Sequence, residues 1–122
     1  MEPQMNADER RRATSDLAKV THVIIGAAQT VSRELGVGFP EKFYENALAH
    51  ELVKANVFVQ KQAPISVTYD GKIVGDYTAD LLVEEAVIVE LKAVRALDKV
   101  HEAQCLNYLK ETSLTVCLFV CC

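Results

Sequence analysis

Tyr77-Thr78-Ala79-Asp80-Leu81-Leu82-Val83-Glu84-Glu85-Ala86-Val87-Ile88-Val89-Glu90-Leu91-Lys92 reads as two apolar arms around one polar break, Glu84-Glu85. The second arm is a nearly unbroken β-branched and aliphatic run that ends in charge, and the first is similar in kind. Such arms predict a tight β-hairpin. Side chains alternate across a strand, so Glu90 and Lys92 fall on one face and Val87, Val89 and Leu91 on the other. With the turn centred near Glu85, Asp80 lies opposite Glu90, their Cβ atoms roughly 5 Å apart. Like charges so placed repel each other, and a buried pair of them needs a cation or a shared proton. A divalent metal is the simplest remedy. Two acids and a lysine in this pattern suit metal-assisted cutting of a phosphodiester.

Outward from the hairpin, the chain alternates on its N-terminal side and turns helical beyond both ends. Ile65-Ser66-Val67-Thr68-Tyr69 alternates, breaks at Asp70-Gly71, and returns as Lys72-Ile73-Val74-Gly75-Asp76-Tyr77, the strongest short hairpin signal. Val57-Phe58-Val59-Gln60 predicts a further short strand. Upstream, Leu17, Val20, Ile24, Ala27, Ala28, Val31 and Leu35 recur at three- and four-residue steps, predicting an amphipathic helix capped by Ser15 or Asp16. Gly36-Val37-Gly38 ends it. Pro40 then suits the first turn of a second helix that runs to about Ala55 and stops at Asn56. Residues 96–111 predict a third helix and Leu114 to Val120 a last buried strand. The order α-α-β-β-β-β-α-β predicts an α+β domain, an α/β sandwich-like arrangement with a mixed central sheet flanked by helices.

At 122 residues the chain is long enough for one core and too short for two. The expected division is a disordered lead over 1–15 and a single domain over 16–122. The formal net charge of −4 argues against a stand-alone, high-affinity nucleic-acid binder but leaves room for an enzyme with a local basic groove. No apolar run approaches the roughly 20 residues needed to span a bilayer, and no apolar segment follows the polar N-terminus as in a secretory signal. Cys105, Cys117, Cys121 and Cys122 lack zinc-ligand spacing. They read as reduced thiols of a cytoplasmic protein.

Two helix faces carry candidate chemistry. On the second helix Tyr44, Ala47, Leu48 and Glu51 share a stripe, so Glu51 is a carboxylate on an apolar face. Ordinarily such a residue sits at the stripe's edge and reaches solvent; beside Asp80 and Glu90 it becomes a candidate third metal ligand. An all-oxygen site of this kind suits Mg²⁺ or Mn²⁺ rather than Zn²⁺. On the third helix His101, Gln104 and Tyr108 share a face, either as a solvated flank or as groups that orient a phosphate or a water. Lys92 is an ordinary strand-end lysine by position, but two residues from Glu90 it can align an attacking water and offset charge on a phosphate. Arg95 and Lys99 are either phosphate contacts or surface charges.

Gly38-Phe39-Pro40-Glu41-Lys42-Phe43-Tyr44 has the GxxExxY spacing. Together with Asp80, Glu90-Leu91-Lys92-Ala93 and His101-Glu102-Ala103-Gln104-Cys105-Leu106-Asn107-Tyr108-Leu109, it resembles the GxxExxY protein family of the PD-(D/E)XK nuclease superfamily. The resemblance covers about residues 17–120. It implies a restriction-endonuclease-like core and a Mg²⁺- or Mn²⁺-dependent nuclease acting on nucleic acid, DNA above all. In that pattern Glu51, Asp80, Glu90 and the Leu91 carbonyl hold metal, Lys92 is the catalytic lysine, and Gln104 and Tyr108 are the helix-borne site residues. Ala79 stands where the superfamily motif has proline, and the chain ends in Cys121-Cys122 where relatives continue with an Asn-Phe-Gly-like segment. A homodimer is an expectation by analogy only. The competing reading is a non-cutting module of the same fold that binds nucleic acid or a protein partner.

Overall fold

The computed structural model describes residues 6–92, 99–100, 103 and 116–121. Two helices precede four strands: α1 (Ala7–Leu35), α2 (Glu41–Lys54), β1 (Val59–Tyr69), β2 (Lys72–Val83), β3 (Val87–Lys92) and β4 (Val116–Cys121). The strands form one sheet in chain order. β1, β2 and β3 run antiparallel and β4 runs parallel to β3. The α+β class and the mixed sheet follow. Lys99, Val100 and Ala103 are helical, as expected for the third helix, whereas His101, Gln104, Cys105 and Tyr108 lie outside the described residues.

Helix α1 begins at Ala7, well before the cap expected at Ser15 or Asp16. Asn6 and Glu9 explain the earlier start. The Asn6 carboxamide oxygen accepts the Glu9 N–H at 2.8 Å, and the Glu9 carboxylate accepts the Asn6 N–H at 3.2 Å. This reciprocal cap satisfies two amides that an open helix end would leave bare. The segment expected to be a disordered lead through residue 15 is therefore helical from Ala7 onward. The predicted apolar stripe holds: Ile24 and Val31 are buried, and Leu17, Val20, Ala27, Ala28 and Leu35 are half-buried.

Helix α2 lies between α1 and the sheet, packing against both. Pro40 caps it rather than opening its first turn. At the other end Asn56 takes a left-handed φ of 61°. Its N–H then bonds the Val53 carbonyl and the Val57 N–H bonds the Leu52 carbonyl, each at 3.0 Å. That paired closure is how a helix commonly ends on Gly or Asn. The buried face comprises Tyr44, Glu45, Leu48, Ala49 and Leu52, so it is turned away from the predicted Ala47 and Glu51, which sit half-buried at its margin.

β1 is a single strand where two were expected, and it runs through Pro64. As the outermost strand among the described residues it has one side without a ladder to them, which is where proline is tolerated. Asp70 and Gly71, with φ of 53° and 75°, turn it into β2 as predicted. The main core joins α1 and α2 to Leu81, Val83, Val87, Val89 and Leu91; a smaller cluster gathers Ala63, Ala79 and Ile88 with Ile65, Tyr77 and Leu82.

Candidate active site

The β2–β3 hairpin has the register expected from its sequence. Leu81, Leu82 and Val83 pair with Val89, Ile88 and Val87, around a loop of Glu84, Glu85 and Ala86. Glu84 and Glu85 both adopt left-handed φ, near 53° and 54°, and the Ala86 N–H closes the loop on the Val83 carbonyl at 3.0 Å. One further step along this register brings Asp80 level with Glu90.

Alternation sorts the strand residues. Leu81, Val83, Val87, Val89 and Leu91 pack on the α2 side, so Leu82, Ile88, Glu90 and Lys92 take the opposite face. The Asp80 carboxylate turns toward β3, where its Oδ2 accepts the Leu91 N–H at 2.9 Å. Glu90 is 7% exposed, and its Oε1 has no hydrogen-bond partner among the described residues. A buried acceptor left open in this way is costly and points to a cation or a proton.

The electrostatics agree. Burial pushes the Glu90 carboxyl up from 4.5 to about 8. The neighbouring Asp80 carboxylate adds to the rise, by its charge and as an acceptor for the Glu90 proton, while the Lys92 ammonium pulls the other way. Asp80, Glu90 and Lys92 thus form one electrostatic unit. A divalent cation fits this donor set. It would satisfy the open oxygen, relieve the repulsion between the acids, and match a donor set made of oxygen.

The other candidates fall elsewhere. Glu51 is tied to Lys54 at 3.2 Å on the outer part of α2, and the described residues contain no group of three His, Cys, Asp or Glu placed to hold a metal. The third acid expected from α2 therefore does not join the pair. The reason is geometric: α2 covers one face of the sheet, and Glu90 and Lys92 lie on the other. Gln104 and Tyr108 are outside the described residues.

Sequence reasoning passed over Glu45, which is 3% exposed. Its Oε2 accepts from Lys42 Nζ at 2.7 Å and its Oε1 from Gln62 Nε2 at 2.6 Å, linking α2 to β1. The offsets that join Glu45 to Leu48, Ala49 and Leu52 are three, four and seven, so the same periodicity that selected Glu51 also marks it.

The GxxExxY segment has a clear structural part. The Tyr44 hydroxyl donates to the Gly36 carbonyl at 2.6 Å and accepts the Phe39 N–H at 3.3 Å, pinning both sides of the α1–α2 corner. Gly38 supplies a φ of 101° within that corner, a conformation closed to most side chains.

The sheet, backed by helices on one face, thus carries an acid pair on adjacent strands with a lysine two residues along. The family model of the PD-(D/E)XK nuclease superfamily matches residues 18–121, and the chain belongs to that superfamily. No curated protein and no solved structure matches it.

Proposed function

We propose that the protein is a Mg²⁺- or Mn²⁺-dependent nuclease that hydrolyses phosphodiester bonds of DNA, built as the sandwich-like restriction-endonuclease-type core and related within its superfamily to the GxxExxY proteins. The observation that carries the reading is the buried, open Glu90 carboxyl beside Asp80, with Lys92 on the same strand. Asp80, Glu90 and the Leu91 carbonyl would hold the cation. When bound, a divalent cation makes coordinated water more acidic and offsets negative charge on the phosphate.

The chain's own groups do the rest. The Leu91 N–H fixes Asp80 by occupying Oδ2, which leaves its other oxygen for the cation. Glu90, protonated at neutral pH without a cation, would hold the cation as a carboxylate. Lys92 donates hydrogen bonds to the attacking water or a phosphate oxygen and adds positive charge where the transition state gains negative charge. Gln104 and Tyr108 complete the proposal as groups that orient substrate.

The experiment is incubation of purified protein with single- and double-stranded DNA and RNA, with Mg²⁺ or Mn²⁺. Cleavage of DNA that requires the metal and disappears in Asp80→Ala and Lys92→Ala is the expected outcome. Variants that cut as well as the parent would overturn the mechanism.

One observation favours the second reading, a module of the same fold that binds without cutting: the formal net charge of −4 lacks the basic surplus of a chain that grips and processes nucleic acid. Calorimetry with Mn²⁺ separates the two. The nuclease binds the ion and Glu90→Ala removes that binding, whereas the module need not bind it.

A further inference from the structure

Consecutive side chains of a regular strand point to opposite faces, yet Lys61 and Gln62 both reach α2. The Lys61 ammonium donates to Asn46, and the Gln62 amide donates to Glu45 at 2.6 Å. The backbone of Gln62 makes this geometry accessible, because its φ is 52°, in the left-handed region. Asn56, Asp70, Glu84 and Glu85 share that feature but lie at a helix end or in turns; Gln62 lies inside a strand. A side chain with a Cβ is disfavoured there, so the conformation has to be held.

What lies level with it is Asp80. In the β1–β2 ladder Lys61 pairs with Leu81 and Ala63 with Ala79, while residues 62 and 80 between them are unpaired. On the other side of β2, pairing with β3 begins only at Leu81 and Val89. Asp80 is thus skipped by both ladders, and its side chain takes the Leu91 N–H. The alternation slips at the same place. Leu81 and Val83 belong to the α2-facing core, whereas Ala79 and Tyr77, of the same parity, join Leu82 and Ile88 in the smaller cluster.

We propose that Gln62, held in its left-handed conformation by the buried Glu45, is a positioning residue that frees Asp80 from the β1–β2 ladder and aims its carboxylate at β3. The inference deepens the reading of Asp80 and Glu90 as the metal-holding pair and rests on it. Glu45 suits the holding role. Both of its oxygens are engaged, one by Lys42 and one by Gln62, and hydrogen bonds to a charged, buried acceptor are among the stronger ones in proteins. Neither Glu45 nor Gln62 is a metal ligand here; they act through the backbone at residues 62 and 80. Strain of this kind survives only where the surroundings enforce it.

The test uses the full chain and two readouts. In the metal-free protein, the Leu91 amide proton reports the hydrogen bond to Asp80, with Val89 in the same strand as the internal control. In parallel, calorimetry measures Mn²⁺ affinity. Gln62→Ala and Glu45→Leu are expected to shift the Leu91 amide and speed its exchange relative to Val89. They should also weaken Mn²⁺ binding by roughly 10- to 100-fold, the usual cost of losing an outer support of a metal site. Glu45→Gln, which keeps an acceptor for the Gln62 amide, should restore both readouts. Gln62 is exposed, so Gln62→Ala still decides the matter if Glu45→Leu fails to fold. A Leu91 amide that tracks Val89 in Gln62→Ala overturns the proposal. A parent protein that binds no Mn²⁺ overturns the metal reading instead, and the Leu91 signal still judges the positioning role.

Discussion

Burial and the Asp80 carboxylate lift Glu90 from 4.5 to about 8, so at neutral pH the metal-free protein holds a proton there that the unfolded chain has released. Between those two values the folded state binds more protons than the unfolded one, and unfolding free energy must fall as pH rises. The contribution is fully present below 4.5 and is lost by about pH 8. Its slope is at most about 1.4 kcal/mol per pH unit, and smaller to the extent that water reaches the carboxyl. Glu90→Gln should flatten this part of the curve, so that urea unfolding across the window separates parent from variant increasingly toward alkaline pH. Parallel curves would mean that Glu90 is not held protonated. The same proton has a second consequence. Mn²⁺ binding at pH 7 should release close to one proton, measured as a binding enthalpy that depends on the ionisation enthalpy of the buffer. Glu90→Ala should abolish that dependence together with binding.

Tyr44 shows what an element-scale motif does before any chemistry. Its hydroxyl joins the Gly36 carbonyl to the Phe39 amide and so sets the angle at which α2 leaves α1. Tyr44→Phe strands a carbonyl and an amide at that corner and should cost about 1–3 kcal/mol in urea unfolding. Mn²⁺ affinity should stay unchanged, because among the described residues the Tyr44 hydroxyl bonds only Gly36 and Phe39, whereas Asp80 is held by the Leu91 N–H. An equal loss of metal affinity would show that the corner supports the site. The Glu51–Lys54 pair gives the converse case: Glu51→Ala should leave Mn²⁺ affinity within about twofold, since a partly exposed ion pair of this kind contributes little and binds no other acid. These elements were legible to different degrees. Asp70-Gly71 named its own turn, and Glu84-Glu85 between apolar arms set the register that brings Asp80 level with Glu90, because local chemistry decides both. The face of α2 was read almost correctly, but choosing Glu51 over Glu45 depended on a small rotation that only packing against β1 fixes. Gln62 was not legible at all. Glutamine has no preference for a left-handed backbone, so its conformation comes from Glu45, seventeen residues away in sequence. The same holds around Pro64, where the separate strands expected at Val57–Gln60 and Ile65–Tyr69 form one continuous strand at the edge of the described sheet.

On the scale of the whole molecule, the question is how a chain with 17 acidic and 13 basic residues could engage a polyanion. A protein that grips DNA through many phosphates releases many counterions, and its affinity falls steeply with salt, with a log–log slope near −0.9 per neutralised phosphate. Here the described cation at the site is Lys92, with Lys99 exposed nearby in sequence, and the overall field is repulsive. The nuclease reading then requires that the metal carry much of the attraction and that few phosphates be neutralised by side chains. Duplex DNA binding, followed by fluorescence anisotropy with Ca²⁺ in place of the catalytic ion, should show a slope no steeper than about −3, and Glu90→Ala should remove most of the binding. Lys92→Ala should keep the metal-dependent part and make the slope shallower by about 1. A steep slope that survives Glu90→Ala would mean that a basic surface elsewhere holds the DNA, and the acid pair would lose its place at the centre of recognition.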